Sequence, residues 1–219
     1  MSFSVGVPTH PLLEVGAFVT RFDRPLAALG PQAPIAALAA LADPPLPLAP
    51  VPAEQLQRAV RDLLRAGGFK PAGRSKPASE YLVGARAEGR FPTINPAVDA
   101  CNVASLHSGL PISLVDVDRL EGPLHIAVAP AGTTYAFNPS GQVIDASGLL
   151  VLWDAIGPTG TPVKDAQRTK THDGTRTTLA IVWGTVALPG RTAATTAWYR
   201  ALVEAVPGAM VDDVRLSRP

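Results

Sequence analysis

The chain has 219 residues, of which 47% are hydrophobic and 17% are charged. This composition excludes a wholly disordered chain and can fill a substantial core in one large domain, with or without an extension. The formal net charge is only +1, so any contact with a nucleic acid must come from a local basic patch. The single cysteine, Cys101, excludes an intrachain disulfide and favours a reducing compartment. The N-terminus lacks the features of a secretory signal, and we expect a cytoplasmic protein without a membrane partner.

The N-terminal part, residues 1–52, is predicted to form strands, a helix and a connector that pack on the main domain. Residues 3–20 are rich in valine and phenylalanine between proline and glycine breaks, which indicates two short strands. The run APIAALAALA, residues 33–42, has the spacing of a helix. The proline-rich run DPPLPLAPVP, residues 43–52, predicts an extended connector.

The main domain, residues 53–219, begins with three predicted helices. The clearest spans about residues 52–68, with Gly67 as a possible cap and an apolar stripe of Leu56, Val60, Leu63 and Leu64. A second helix is expected over about residues 78–88, with Tyr81 and Leu82 on its apolar side, because Pro77 fits a first helical turn. The third, VDACNVASLHSG, ends at Gly109 and Pro111.

A block of strands follows these helices. Runs rich in valine, isoleucine, threonine and aromatic residues predict strands in 124–130, 133–137, 148–155 and 177–188. A late helix over 193–206 and a last strand over 209–216 complete the domain. Because the helices precede the strands instead of alternating with them, the fold class is α+β, with helices packed on a mainly antiparallel sheet.

The stretch from Ser75 to Gly184 carries a series of ordered motifs. They are Ser-Glu-X-Leu, Pro-X-Ile-Asn, Val-Asp-X-X-Asn, Gly-X-Pro, Asp-X-Asp-Arg-Leu-Glu-Gly and a late Arg-Thr before a threonine-rich strand. Together they resemble the B3/B4 domain of the phenylalanyl-tRNA synthetase beta subunit, and more closely the free-standing proteins that carry this domain. The resemblance covers about half of the chain. It implies a B3/B4-type α+β fold and no cofactor.

In the synthetase, this domain is the editing module that hydrolyses a wrongly attached amino acid from the tRNA. The resemblance therefore implies binding of the 3′ end of tRNA or aminoacyl-tRNA, and hydrolysis of the ester in trans. Aminoacylation is not expected, because no counterpart of the synthetase core is visible. A DNA partner is not expected either. Whether the chain is an enzyme stays open. The alternatives are a non-catalytic module that binds tRNA, an amino acid or another small ligand, and a protein-interaction domain.

The candidate catalytic residues are Asn102 and Ser113. The family places a small polar residue and an asparagine in the editing pocket, and Cys101 and Asn102 occupy these positions. An amide can donate to an ester oxygen and accept from water, whereas the other interpretation is that Asn102 ties its helix to the neighbouring backbone. Ser113 stands where the synthetase has a histidine, and a serine can orient water but is not a base near neutral pH. Cys101 is a candidate substrate contact and not a nucleophile, because no activating base is visible.

The second candidate region is the loop PVKDAQRTKTHDGTRTT, which has four basic and two acidic residues. Arg168 matches the family's Arg-Thr, and Gln167 stands where the family usually has glutamate, so an acid–base role there is lost. Arg168 and Lys170 are predicted to bind phosphate or the terminal adenosine, with Gln167 beside them. The alternative is a solvated hairpin flank. A further basic run, FKPAGRSKP, is either a second tRNA contact or a flexible linker. The four histidines show no metal-ligand spacing, and we expect no metal site.

Overall fold

The structure is a computed structural model that describes residues 3–42 and 48–218. Residues 48–52 of the predicted connector form neither helix nor strand, and residues 43–47 lie outside the described residues. The helices are α1 Ala33–Ala40, α2 Ala53–Arg65, α3 Ala78–Ala87, α4 Pro96–Ser108 and α5 Arg191–Glu204. The strands are β1 Phe3–Gly6, β2 Leu13–Phe22, β3 Ile112–Asp116, β4 Leu124–Val128, β5 Thr134–Ala136, β6 Val143–Asp145, β7 Leu150–Trp153, β8 Pro158–Gly160, β9 Thr177–Thr185 and β10 Ala209–Ser217.

Eight of these strands form one mixed sheet in the order β3-β9-β2-β10-β1-β4-β7-β8, and β5 and β6 form a separate hairpin. The α+β class is confirmed, but the prediction of a mainly antiparallel sheet is not quite accurate. Strand β1 lies between β10 and β4 and runs parallel to both. A parallel pair joins segments far apart in sequence, here the first strand and the last, so local turn signals could not reveal it.

The two edge strands of this sheet approach each other, so the sheet nearly closes. Ser113 on β3 donates from its hydroxyl to the carbonyl of Thr161, directly after β8, at 3.1 Å. Gly160 makes this approach possible, since a Cβ at that position would lie 3.0 Å from the Ser113 side chain. The loop that follows β8 is thereby held against β3.

Helix α5 packs on β2 and β9 at two glycines. A Cβ at Gly16 would lie 1.9 Å from the Thr196 hydroxyl, and one at Gly184 would lie 1.9 Å from the Thr192 hydroxyl. Only glycine permits so close an approach of helix and sheet. The centre of the core lies nearby and includes the fully buried Trp183 of β9.

The predicted helices and the stripe of α2 are confirmed, with two corrections of detail. Tyr81 does not lie on the buried side of α3: its side chain is 56% exposed, whereas Leu82 is buried. The glycine with positive φ after α2 is Gly68 and not Gly67. Gly67 instead allows a close backbone approach, because a Cβ there would lie 2.3 Å from the carbonyl oxygen of Gly148.

Within residues 3–42 and 48–218, no helix is both long enough and apolar enough to cross a bilayer.

Candidate functional site

A cavity with two adjoining lobes lies between helices α3 and α4, strand β3 and the loop after β8. The large lobe has a volume of about 630 Å³. Its walls come from the start of α3 with the preceding turn, the middle of α4, the end of the β5 strand and the loop after β8. The lining residues are Gly73, Arg74, Lys76, Ala78, Tyr81, Leu82, Pro92, Asn102, Ser105, Ile112, Phe137, Asn138, Val163, Lys164 and Lys170.

The small lobe has a volume of about 310 Å³ and lies on the side of α4 and β3. Six residues line both lobes, which places them at the junction: Ala78, Asn102, Ile112, Val163, Lys164 and Lys170. The small lobe is completed by Ile94, Val98, Cys101, Leu114, Thr161, Asp165 and Thr171. Volumes of this size are typical of small-ligand sites.

Asn102 is presented to this junction by a firmly fixed helix. Asn95 caps α4 by accepting from the Val98 amide at 3.0 Å, and Gly109 ends the helix in the left-handed conformation with φ 71°. Asn102 itself is half-buried. Within the described residues, none of the side-chain hydrogen bonds of α4 involves Asn102. Its amide is therefore free to bind a ligand, and the interpretation that it ties the helix to backbone has no supporting contact.

The large lobe is strongly cationic. Its charged lining residues are Arg74, Lys76, Lys164 and Lys170, and no carboxylate lines it. Among the described residues, none of these four cations is in a salt bridge. Burial lowers the pKa of Lys164 and Lys170, and for Lys164 the nearby positive charges lower it further. An anionic ligand would relieve this unbalanced charge.

Phe137 and strand β3 hold Lys170 in place, and Phe137 also contacts Lys164. Residue 170 forms an isolated antiparallel bridge with Val115 of β3. The Lys170 ammonium donates to the Phe137 carbonyl, and the Lys164 ammonium lies 4.0 Å from the centre of the Phe137 ring. Each ammonium has three donors, so further donors remain for a ligand.

Asp165 is the carboxylate of the small lobe. Its two oxygens accept from the amides of Leu114, at 3.0 Å, and Thr161, at 3.2 Å. Burial raises the pKa of Asp165 to about 6, although hydrogen bonding from the Ser113 hydroxyl and from these two amides, together with the positive charge of Lys170, acts in the opposite direction. The carboxylate has no salt-bridge partner among the described residues.

Cys101 lines the small lobe, but its thiol is in the unreactive, protonated form. Its side chain is buried, and burial raises the pKa of the thiol to about 12. Because the thiolate is the reactive form, Cys101 serves as a wall of the lobe and not as a nucleophile.

Three of the six predicted site residues, Cys101, Asn102 and Lys170, thus meet at the cavity. The other three do not line it. Ser113 is fully buried, donates to the Thr161 carbonyl and accepts from the Trp183 indole at 2.9 Å. Gln167 belongs to a short 3-10 turn, Gln167–Thr169, outside both lobes.

Arg168 is occupied by structural contacts. Its guanidinium forms a bidentate pair with Asp154, at 3.0 and 2.5 Å, and donates to the carbonyls of Pro158 and Gly157. The Asp154 side chain is fully buried. Burial alone would raise the pKa of Asp154, but the hydrogen bonds from Arg168 and three backbone amides lower it overall. These contacts fix the loop after β8 and leave Arg168 outside the lining of the cavity.

Sequence reasoning missed Asp165 and Tyr81 as parts of the site. Asp165 looked like an ordinary loop charge, and only the proximity of β3 to the loop after β8 shows that it is half-buried at the cavity. Tyr81 was placed on the core side of α3, but it is an exposed wall of the large lobe. Arg74 and Lys76, in contrast, come from the basic run that was a candidate tRNA contact.

Metal and histidine chemistry find no support at this site. The described part of the chain contains no group of three or more histidine, cysteine, aspartate or glutamate side chains that could hold a metal ion. All four histidines are described, and none of them lines either lobe.

The fold and the cavity define an α+β domain with a two-lobed cavity at the closing edges of its sheet, and comparison with known families identifies the family. The model of the B3/4 domain matches residues 73–188, more than half of the chain. The chain belongs to the B3/4 domain family, as its motifs indicated. No curated protein matches the sequence.

Among solved structures, the chain is similar to an N-terminal fragment of the phenylalanyl-tRNA synthetase beta subunit from Pyrococcus horikoshii. The TM-score is 0.54 at 10% identity, over 100% of this chain and 52% of that one. The chain thus spans about half the length of the fragment, and at this identity the likeness shows the fold alone. A second match, to the C-terminal domain of TILS, covers 35% of this chain and 71% of that one, with a TM-score of 0.30 and 12% identity.

Proposed function

We propose that the protein binds the aminoacylated 3′ end of a tRNA and hydrolyses the ester in trans. One observation carries the proposal: Asn102, with its unpaired amide, lies at the junction between a cationic lobe and a small, largely apolar lobe. The aminoacylated end of a tRNA matches these two lobes: its phosphates and adenosine suit the cationic lobe, and its amino acid suits the small lobe. A protein acting on charged tRNA would be expected in the cytoplasm.

The proposed chemistry asks little of the protein, because an aminoacyl ester is already activated. The Asn102 amide donates to the ester carbonyl oxygen, and the Lys170 ammonium stabilises the negative charge that develops there when water attacks. The products are the free amino acid and the 3′ hydroxyl of the tRNA. Ser113, Gln167 and Arg168 are given no part in this step, because their side chains do not line the cavity.

A panel of mischarged tRNAs tests this proposal. The full chain is expected to release the amino acid from at least one member faster than buffer does. Asn102→Ala is expected to lower that rate about 100-fold or more, the usual cost of removing one oxyanion donor. Asn102→Asp serves as the matched variant, because it keeps the shape but removes the donors. Thermal unfolding checks that both variants are folded. An Asn102→Ala protein that deacylates at the normal rate would contradict the assignment.

A second candidate function is non-catalytic binding of the same tRNA end. It is favoured by the absence of any histidine from the lining of the two lobes. This alternative expects salt-dependent tRNA binding without turnover of any mischarged tRNA. Lys170→Ala would weaken such binding, whereas Lys70→Ala, an exposed lysine outside the lining, provides the matched control.

A further inference from the structure

We propose that Asp165 binds the α-ammonium group of the substrate and thereby makes the small lobe specific for amino acids. This inference rests on the proposed function and deepens it. Asp165 is the one acidic residue that lines either lobe among the described residues. The small lobe contains one carboxylate, and all the charged residues that line the large lobe are cations. Such a cavity can orient a ligand whose two ends carry opposite charges.

The contacts of Asp165 leave it able to accept from a ligand. Each carboxylate oxygen has two lone pairs, four in all. The Leu114 and Thr161 amides occupy one on each oxygen, and the Ser113 hydroxyl lies within hydrogen-bonding reach of a third, so a position remains for a ligand. These amides fix the direction of the carboxylate without neutralising it. No side-chain cation among the described residues is in a salt bridge with Asp165. Lys170 is near enough to act on the half-buried carboxylate but does not pair with it. A partly desolvated carboxylate without a directly paired cation is costly, and a bound ammonium would relieve that cost.

The rest of the small lobe suits an amino-acid side chain. Ile94, Val98 and Leu114 give it apolar walls, and the Cys101 thiol is neutral. With the ammonium at Asp165 and the phosphates in the large lobe, the ester falls at the junction, where Asn102 and Lys170 lie. The same charge pattern disfavours the reverse orientation, because phosphate would then face Asp165.

Non-hydrolysable analogues test this assignment. The probes are adenosine 5′-phosphates whose 3′ position carries glycine, alanine, valine or phenylalanine in amide linkage. Each has a partner in which the corresponding α-hydroxy acid replaces the amino acid, so that the ammonium becomes a hydroxyl of nearly the same size. Affinities are measured by calorimetry on the full chain at pH 7.5.

The amino form is expected to bind about 10- to 100-fold more tightly than its hydroxy partner, the range of a close charge pair. Asp165→Asn should bind both forms equally, at the affinity of the hydroxy form. Equal affinity of both forms for the unaltered protein would overturn the ammonium assignment and leave the proposed function standing. If no analogue binds and no mischarged tRNA is hydrolysed, the proposed function fails as well. The comparison within the unaltered protein decides the matter even if Asp165→Asn does not fold.

Discussion

Arg168 offers a sharp test between a structural and a tRNA-binding role. The sequence suggested a phosphate contact, whereas the structure directs the guanidinium to the fully buried carboxylate of Asp154. Arg168→Ala would leave that carboxylate buried without its cation and would also remove the donors to two backbone carbonyls. We therefore expect a loss of stability.

The size of this loss follows from the environment of the pair. Removing one partner of a buried ion pair costs about 3–5 kcal/mol. The Arg168 side chain keeps 29% of its exposure, and Asp154 retains three backbone amide donors, from Glu121, Ile156 and Gly157. Both facts place the expected loss in the free energy of unfolding at the lower end of this range, about 3 kcal/mol. With a urea m-value of about 2 kcal/mol/M, the unfolding midpoint would fall by about 1.5 M.

Urea unfolding of five proteins measures this effect: the unaltered chain, Arg168→Ala, Asp154→Asn, the double variant of these two, and Arg176→Ala. Arg176→Ala is the matched control, because its guanidinium lies on the same loop and, among residues 3–42 and 48–218, donates only to the exposed Asp23 carbonyl. It should change the free energy of unfolding by less than about 0.5 kcal/mol. In Arg168→Ala/Asp154→Asn, the unpaired charge is gone, so the double variant should be more stable than the sum of the single changes predicts. An unchanged midpoint for Arg168→Ala, together with a tenfold loss of tRNA affinity, would refute the structural role.

Three further predictions concern the cavity and the packing of the sheet. Tyr81→Ala should weaken binding of an RNA minihelix ending in CCA about 10-fold, because an exposed ring at the large lobe can stack on a base. Val83 is about as exposed as Tyr81, and Val83→Ala should leave the affinity unchanged. Equal losses of affinity in the two variants would exclude stacking. Asp165 has a pKa of about 6 in the folded protein, so binding of the amino-form analogue should rise from pH 5 to pH 7, and a flat profile would contradict this. Since the folded state holds this proton more tightly than the unfolded chain, the same group lowers stability as the pH rises from about 4 to about 6, a trend that Asp165→Asn should remove in urea titrations. Gly184→Ala should destabilise the fold by about 1–3 kcal/mol, because the methyl group would overlap Thr192; an unchanged urea midpoint would show that α5 can shift without cost.

The pH prediction depends on the ionisable groups around Asp165. Lys170 stabilises the charged form of the carboxylate. The Cys101 thiol and the Tyr135 and Tyr199 hydroxyls also lie near it, but burial raises the pKa of each, so these groups stay neutral across the range. The 5′-phosphate of the analogues also titrates at about pH 6, so a transition that the amino form shows and the hydroxy form lacks is assigned to Asp165.

The sequence predicted the helices better than the sheet, for a physical reason. A helix shows itself in the spacing of apolar residues that are close together in the sequence. The stripe of α2, which includes the buried Val60 and Leu64, is an example. Strands β3, β6 and β8 have between three and five residues, too short for a clear period. The position of β1 between β10 and β4 depends on contacts between distant segments, which periodicity does not record.

The residues that line the cavity were anticipated where a motif marks them and missed where the lining depends on the approach of distant segments. Asn102 came from the helix motif, and its place at the cavity needs only the direction of α4. Arg168 carried an equally clear motif, but its partner Asp154 precedes it by 14 residues on another segment. The exposure of Tyr81 was misjudged because an aromatic residue beside Leu82 fits a buried stripe as well as a cavity wall.

The loop after β8 connects the stability of the fold to the geometry of the site. Asp165 holds the amides of Leu114 on β3 and Thr161 after β8, and so joins the two edges of the sheet. The same loop brings Lys170 into its bridge with Val115. The side chains that line the cavity are therefore placed by the contacts that bring the sheet close to closure. A substitution that loosens those contacts should weaken ligand binding and stability together. A change at Asn102, whose amide has no partner within the described residues, should affect binding or reaction of the ligand and leave stability unchanged.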